Sequence, residues 1–291
     1  MLPSISERQA ALEARFPRWR PRRLDQMLSA AAEQFPDRPY VITEDRCWTY
    51  REIGNWARRI ADGLVEAGVR AGEHVALVMA NFPEFAAAKY AISRVGAVCV
   101  PVNFLYRRDE LGYLLRQSGS VALVTMDRWR GLDYLSFLDE LAPGWEQRGG
   151  GDTLPTLRTV VVHPTGPDAV RPGVTTLDAL ASDDSAPAPA GSATEPADIL
   201  YASGTTGEPK GVLLTHEMLL RTAYPSAFSR ARPGAGIDSD GLVEYCRQRL
   251  ARFKVPRHVL SVEAGDIPTT PSGRPRTFLL AERAAALLEA P

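Results

Sequence analysis

Segments with two different patterns of apolar residues alternate along residues 49–124. One pattern is typical of helices and the other of buried strands. The segment that begins at Thr49 has the helical spacing. The Thr49 hydroxyl can accept a hydrogen bond from the backbone N–H of Glu52, whose carboxylate can reach back, and Gly68 supplies a stop. The apolar side chains on one face of this segment are Ile53, Trp56, Ile60 and Leu64. The pattern predicts an amphipathic helix packed against a core.

Three short apolar runs extend beyond this helix, and segments with helical character separate them. We predict strands at residues 74–79, 97–100 and 121–124. Pro83 suits the first turn of the helix between the first two strands, which ends near Gly96, and residues 109–116 form the next helix. A β-α-β-α-β order predicts a mostly parallel sheet covered by helices. The expected fold class is therefore α/β, with a layered, mostly parallel sheet.

The following part of the chain is less regular. Residues 143–155 contain proline and several glycines, which predicts a loop, and residues 157–163 form an apolar strand. Residues 164–196 are rich in Pro, Ala, Ser, Asp and Gly. This composition predicts a flexible connection that carries no visible chemistry.

Residues 201–211 have the composition of a phosphate-binding loop. The runs 198–201, apolar after Asp198, and 212–214 predict an ordered segment on each side of it. Glycines let the backbone turn tightly and approach a ligand, while hydroxyls, backbone N–H groups and a lysine can bind an anion. The residues that we assign to this loop are Ser203, Gly204, Thr205, Thr206, Gly207, Lys210 and Gly211. The alternative is a surface turn of Gly, Ser and Thr that binds no ligand.

The loop matches the pattern [YF]-x-SGTTG-x-PKG and resembles the AMP-forming acyl-CoA synthetase and adenylate-forming (AMP-binding) superfamily. Residues 81–85, 96–103 and 212–216 are also similar to that family, and residues 102–111 look like fatty-acyl or aryl-CoA ligases. The resemblance implies an enzyme that activates a small carboxylic acid with ATP and Mg²⁺, then transfers the acyl group to coenzyme A. It implies that Lys210 is catalytic and that Ser203, Gly204, Thr205, Thr206 and Gly207 bind the β- and γ-phosphates.

The C-terminal part resembles the end of the same family. Residues 252–257 and 270–274 are similar to its small C-terminal domain, yet no Tyr-Gly-x-Thr-Glu or Thr-Gly-Asp string follows Lys210. The resemblance thus implies that a central segment is missing. It predicts a partial N-terminal domain at 1–231 and a C-terminal α+β fragment at 232–291. Arg274 stands where the family places a catalytic lysine, and the alternative is a solvated turn arginine.

Composition narrows the class of protein further. Apolar residues make up 45% and charged residues 24% of the 291 residues, and the net charge is −1, so we expect a soluble protein that binds no nucleic acid. No segment is long enough to span a membrane. The three widely spaced cysteines, Cys47, Cys99 and Cys246, predict neither a disulfide framework nor a metal site, and favour the cytoplasm.

The histidines are predicted to be structural. His74, His163 and His258 lie in or beside apolar runs. His216 directly follows the apolar run after the loop, and a hydrogen-bonded histidine at a helix start is favoured over a catalytic one.

Three functions stay open at this point. The chain could be an internally deleted ATP-dependent carboxylic acid–CoA ligase, or a non-catalytic remnant (a pseudoenzyme or partner-binding module) that keeps only the phosphate loop. A third function is nucleotide sensing without acyl transfer. For the chain by itself the missing segments favour the remnant. Loss of sheet strands would expose apolar edges, so we expect self-association or a partner chain that covers them.

Overall fold

The computed structural model describes residues 21–166, 171–182, 191–202 and 209–226, together with residues 238, 241, 243 and 244. The chain separates into two compact units, Met1–Tyr224 and Pro225–Pro291. Almost all described residues belong to the first unit. In the second unit, the described residues Gly241, Val243 and Glu244 are helical and Val243 is buried. The α+β character predicted for residues 232–291 otherwise falls outside the described residues.

Helices and strands alternate through the first unit. The helices are α1 (Leu24–Gln34), α2 (Tyr50–Glu66), α3 (Pro83–Val95), α4 (Arg108–Ser118), α5 (Tyr134–Leu141), α6 (Trp145–Arg148), α7 (Leu177–Leu180) and α8 (His216–Ser226). The strands are β1 (Pro39–Ile42), β2 (Cys47–Thr49), β3 (His74–Val78), β4 (Val98–Val102), β5 (Ala122–Met126), β6 (Arg128–Trp129), β7 (Leu132–Asp133), β8 (Thr159–His163), β9 (Thr175–Thr176), β10 (Pro196–Ala202) and β11 (Lys210–Thr215).

One sheet organises these elements. Its strand order is β11-β10-β4-β3-β5-β8-β9, and two small antiparallel pairs, β1–β2 and β6–β7, lie apart from it. All neighbours in the main sheet are parallel except β10 and β11, which form an antiparallel hairpin. The α/β class and the mostly parallel sheet that the sequence predicts are confirmed.

Local signals in the sequence explain the ends of the helices. The Thr49 hydroxyl accepts from Glu52 N–H at 3.2 Å, and Thr49 N–H donates to the Glu52 carboxylate at 2.7 Å, so the predicted cap at the start of α2 is present. Pro83 is the first residue of α3. Gly96 ends α3 with φ of 81°, a backbone conformation that glycine adopts without strain.

The core lies between the sheet and its helices. Strands β3 and β5 are buried almost throughout, as expected for parallel strands covered on both faces. Three alanines of α3, Ala87, Ala88 and Ala91, are fully buried. The predicted pattern of apolar runs therefore identifies the strands that carry the core.

Two predictions for the irregular part of the chain were wrong in part. Within the predicted loop 143–155, Trp145 is buried and begins the one-turn helix α6. Within the connection 164–196, β9 pairs with β8, and Leu177 and Leu180 of α7 are buried. The Thr176 hydroxyl caps α7 by accepting from Ala179 N–H at 3.1 Å. A few apolar residues thus order segments whose average composition predicts a loop.

Candidate phosphate-binding hairpin

The predicted phosphate loop joins the two strands of the β10–β11 hairpin. Strand β10 runs parallel to β4, so its last residue, Ala202, lies at the edge where the carboxyl ends of the parallel strands meet. Open α/β sheets bind ligands at that edge. The loop residues predicted to bind phosphate, Ser203, Gly204, Thr205, Thr206 and Gly207, lie outside the described residues, as does Arg274. Their roles therefore stay predictions.

Lys210 lies at the mouth of this loop. It is the first residue of β11 and pairs across the hairpin with Ala202. Its side chain is exposed, and it forms no ion pair with any residue in the part of the chain that the structure describes. A lysine acts as a mobile point charge, and the predicted contact of Lys210 with phosphate stays a prediction.

Gly211 allows the two strands to pack closely. It lies in β11, opposite Tyr201 of β10, and not in the turn itself. A Cβ at this position would lie 2.7 Å from Ile199 Cγ2 and 3.2 Å from Tyr201 Cζ. The Tyr201 ring therefore lies across the glycine, and the need for glycine comes from this close approach.

A buried ion pair attaches the hairpin to the parallel sheet. Only the pair Asp198 and Cys99 joins β10 to β4 in register along these two fully described strands. The Lys89 ammonium of α3 donates to the Asp198 carboxylate, and the two side chains are 16% and 6% exposed. Burial raises the pKa of Asp198, and the lysine opposes this shift. The ion pair thus attaches the hairpin at the point where β10 and β4 share a single pair of residues.

The adjacent Cys99 is inert by its environment. It is free and fully buried, and burial raises the pKa of its thiol to about 12. A thiol with such a pKa carries almost no thiolate at neutral pH, so Cys99 acts as an apolar core residue.

A cluster of polar residues attaches the other end of the hairpin. Its members are Arg23, Asp25, Ser93, Glu195 and His216. The buried Arg23 guanidinium pairs with Asp25 and Glu195, each at 3.1 Å, and donates to the Ser93 carbonyl. His216 accepts from a backbone N–H of α1 through Nδ1 at 3.3 Å. The cluster joins α1, α3 and the hairpin.

His216 is a structural histidine. It is 1% exposed and begins α8. Burial, with the nearby Arg23 guanidinium second, lowers the pKa of His216 to about 4. The ring is therefore neutral at physiological pH, which agrees with the predicted hydrogen-bonded residue at a helix start.

The other described histidines also have structural surroundings. His74 Nδ1 is hydrogen-bonded to the Ser118 carbonyl at 2.6 Å, and His163 lies against the ring of Phe82. Among residues that the structure describes, no group of three or more His, Cys, Asp or Glu side chains is placed to hold a metal ion. Nor is any described helix long and apolar enough to cross a membrane.

Sequence reasoning missed the residues that support the loop. Lys89 and Asp198 are far apart in the chain, and Tyr113 and Gln117 of α4, which contact the hairpin, belong to a helix that carries no motif. Asp198 lies just before the glycine-rich segment, and a carboxylate within an otherwise apolar strand is the one local signal that could have indicated a buried partner.

Comparisons with known proteins identify the family to which the sequence is similar. The family described as "AMP-binding enzyme" matches residues 28–240. The protein YngI of Bacillus subtilis (strain 168), whose name assigns it provisionally to the acyl-CoA synthetases, is 31% identical over 222 residues, which cover 69% of this chain and 38% of YngI. The mitochondrial medium-chain acyl-CoA ligase ACSF2 of Danio rerio is 29% identical, with 69% of this chain and 35% of that protein covered.

Solved structures give the same result for the fold. The Mycobacterium smegmatis MbtA apo structure has a TM-score of 0.60 and 32% identity, and the match covers 78% of this chain and 40% of that one. The anthranilate CoA ligase AuaEII in complex with anthranoyl-AMP has a TM-score of 0.60 and 26% identity, with 70% and 36% covered. The chain therefore spans well under half the length of the relatives that it matches.

Proposed function

The chain belongs to the AMP-binding enzyme family, and we propose that it carries the triphosphate-binding part of an ATP-dependent carboxylic acid–CoA ligase. The observation that supports this most is the position of Lys210. Its exposed side chain stands at the mouth of the glycine-rich loop, at the sheet edge where ligands of α/β proteins bind. The names of the relatives, which are CoA ligases and acyl-CoA synthetases, support the same class of reaction.

In this proposal Lys210 neutralises charge on the β- and γ-phosphates. The hydroxyls of Ser203, Thr205 and Thr206 and the backbone N–H groups of the loop donate hydrogen bonds to the same oxygens. Such donors stabilise the charge that develops as pyrophosphate leaves and the acid becomes an acyl-adenylate. Arg274 would supply a second cation in place of the family lysine.

Mg²⁺, when bound, would screen the triphosphate. Mg²⁺ prefers oxygen ligands, which phosphate groups and water both supply. Coenzyme A is the acyl acceptor in this proposal, and a small carboxylic acid is the substrate.

A specific observation also favours a second function, a non-catalytic module that needs a partner. Apolar side chains of the hairpin are exposed to 40% at Leu200, 51% at Val212 and 52% at Leu213. Along the described part of the sheet, β11 is an edge strand. Exposed apolar edges favour association with another chain or with a second copy.

Acid-dependent ATP–pyrophosphate exchange on purified, monodisperse protein tests the proposal. We expect exchange with a panel of carboxylic acids, a loss of about 100-fold or more in Lys210→Ala, and partial retention in Lys210→Arg. Arg51→Ala removes an exposed cation of α2 and is the matched control. A folded wild-type protein without exchange would overturn the ligase proposal for this chain and favour the module.

A further inference from the structure

We propose that Tyr113 and Gln117 of α4 position the phosphate loop by holding its two arms from one face of the helix. We call this pair the α4 clamp. Neither residue belongs to the loop motif. The inference rests on the proposed function, in that the loop is taken to bind phosphate, but the contacts that carry it do not depend on a ligand.

The clamp contacts a residue on each side of the loop. The Tyr113 hydroxyl donates to the Pro209 carbonyl at 3.2 Å, directly before Lys210. On the opposite arm, the Tyr201 hydroxyl donates to Gln117 Oε1. Residues four apart in a helix lie on the same face, so α4 presents the two contacts side by side.

The hairpin needs such a contact at its loop end. Its own ladder stops at the pair Ala202 and Lys210, and its in-register link to β4 is at Asp198, four residues before the end of β10. Proline has no N–H, so the Pro209 carbonyl is the one backbone group of that residue that can form a hydrogen bond. Tyr113 supplies the donor and thereby fixes the backbone that carries the Lys210 side chain.

Tyr201 transmits the second contact to the loop. Its ring lies across Gly211, and the ring carbon Cζ is 3.2 Å from the point that a Cβ at that glycine would occupy. A side chain at Gly211 would displace the ring from Gln117. The hydrogen bond to Gln117 and the packing on Gly211 therefore set one geometry for Tyr201, the last residue but one of β10.

The clamp is separable from the core. Gln117 is exposed, and Tyr113 and Tyr201 are only partly buried. Its loss should change global stability little, because one of its two hydrogen bonds is exposed and the other is only partly buried. A positioning role therefore predicts a local effect on the hairpin that exceeds any change in melting temperature.

Variants that remove one group at a time test this. Tyr113→Phe removes one hydroxyl, Gln117→Ala removes the acceptor, and Gln117→Glu keeps an acceptor and should rescue. Tyr40→Phe is the matched control, because it removes a hydroxyl that is hydrogen-bonded to Tyr90 at 2.8 Å, outside the hairpin. The first readout is hydrogen–deuterium exchange of the amides of residues 210–215 in the nucleotide-free protein. The second is the KM for ATP against kcat in pyrophosphate exchange.

We expect amide exchange at 210–215 to rise about five-fold in Tyr113→Phe and in Gln117→Ala, and to stay near wild type in Gln117→Glu and Tyr40→Phe. The KM for ATP should rise by a similar factor, with a smaller change in kcat. Unchanged amide exchange would overturn the clamp. Raised amide exchange with unchanged KM would overturn its role in phosphate binding. A wild type without pyrophosphate exchange overturns the ligase proposal, while the amide exchange still decides whether α4 holds the loop.

Discussion

Replacing Lys89 by methionine would leave the Asp198 carboxylate buried without its cation. The Asp198 side chain is 6% exposed and the ammonium of Lys89 is its partner. Removing one member of a buried ion pair costs about 3–5 kcal/mol of the free energy of unfolding. Methionine keeps most of the volume of the lysine stem, so the change isolates the loss of charge.

Protonation sets an upper limit to this cost. A stranded carboxyl can take up a proton instead of staying charged, and each pH unit above its ordinary pKa of 3.8 adds about 1.4 kcal/mol to that step. The limit is about 4 kcal/mol at pH 7 and about 2 kcal/mol at pH 5. We therefore expect Lys89→Met to lose about 3 to 4 kcal/mol at pH 7 and roughly half as much at pH 5.

Urea unfolding followed by tryptophan fluorescence measures the free energy of unfolding of the first unit. All five tryptophans precede residue 146 and so report on the first unit alone. The double variant Lys89→Met with Asp198→Asn should recover part of the loss, because no buried charge remains. Arg51→Met is the control, since its pair with Asp37 is exposed and should contribute below about 1 kcal/mol. A loss in Lys89→Met under about 1 kcal/mol, or one that is equal at both pH values, would refute the reasoning.

Three further outcomes follow from the same contacts. The pKa of His216 is lowered to about 4 from an ordinary 6.5, so the stability that its neutral ring contributes is complete above pH 6.5 and is lost as the pH falls towards 4. Urea unfolding should therefore show that the free energy of unfolding drops by about 3 kcal/mol between these pH values. This drop should be absent in His216→Asn. Gly63→Ala should lower the melting temperature despite the better helix propensity of alanine, because its Cβ would lie 1.8 Å from the Leu180 carbonyl oxygen, whereas Gly54→Ala in the same helix, with its nearest contact at 3.4 Å, should be neutral or stabilising. Gly211→Ala should displace neighbouring side chains of β10 and raise the KM for ATP several-fold with little change in melting temperature, and an unchanged KM would contradict this.

The parts of the fold that the sequence predicts are those with local causes. The cap formed by Thr49 and Glu52, the stop at Gly96 and the buried runs of β3 and β5 each depend on residues within a few positions of one another. The parallel sheet follows, because alternating strands and helices have few ways to pack. Helix α1 and the short strands β1 and β2 carry weaker patterns and were not predicted.

The candidate site also contains residues that local sequence predicts and residues that it does not. Lys210 can be predicted because the loop motif is continuous in sequence, and the structure places it at the mouth of the hairpin. Lys89, Tyr113 and Gln117 could not be predicted, since each lies on a helix whose pattern explains only its packing, and its partner is 84 to 109 residues away. A side chain's partner across such a distance is set by the topology and leaves no periodic signal.

The anchors of the hairpin also determine when the loop can be assembled. The chain separations they close are 109 residues for Lys89 and Asp198, 172 for Arg23 and Glu195, and 192 for Leu24 and His216, whereas β3, β4, β5 and β8 lie together within residues 74–163. On a ribosome the four parallel strands can emerge and pair before residues 196–215 have left the exit tunnel. The entropy cost of closing the long separations arises only as residues 195–216 leave the exit tunnel. The attachment of the β10–β11 hairpin would thus be among the last features of this unit to form.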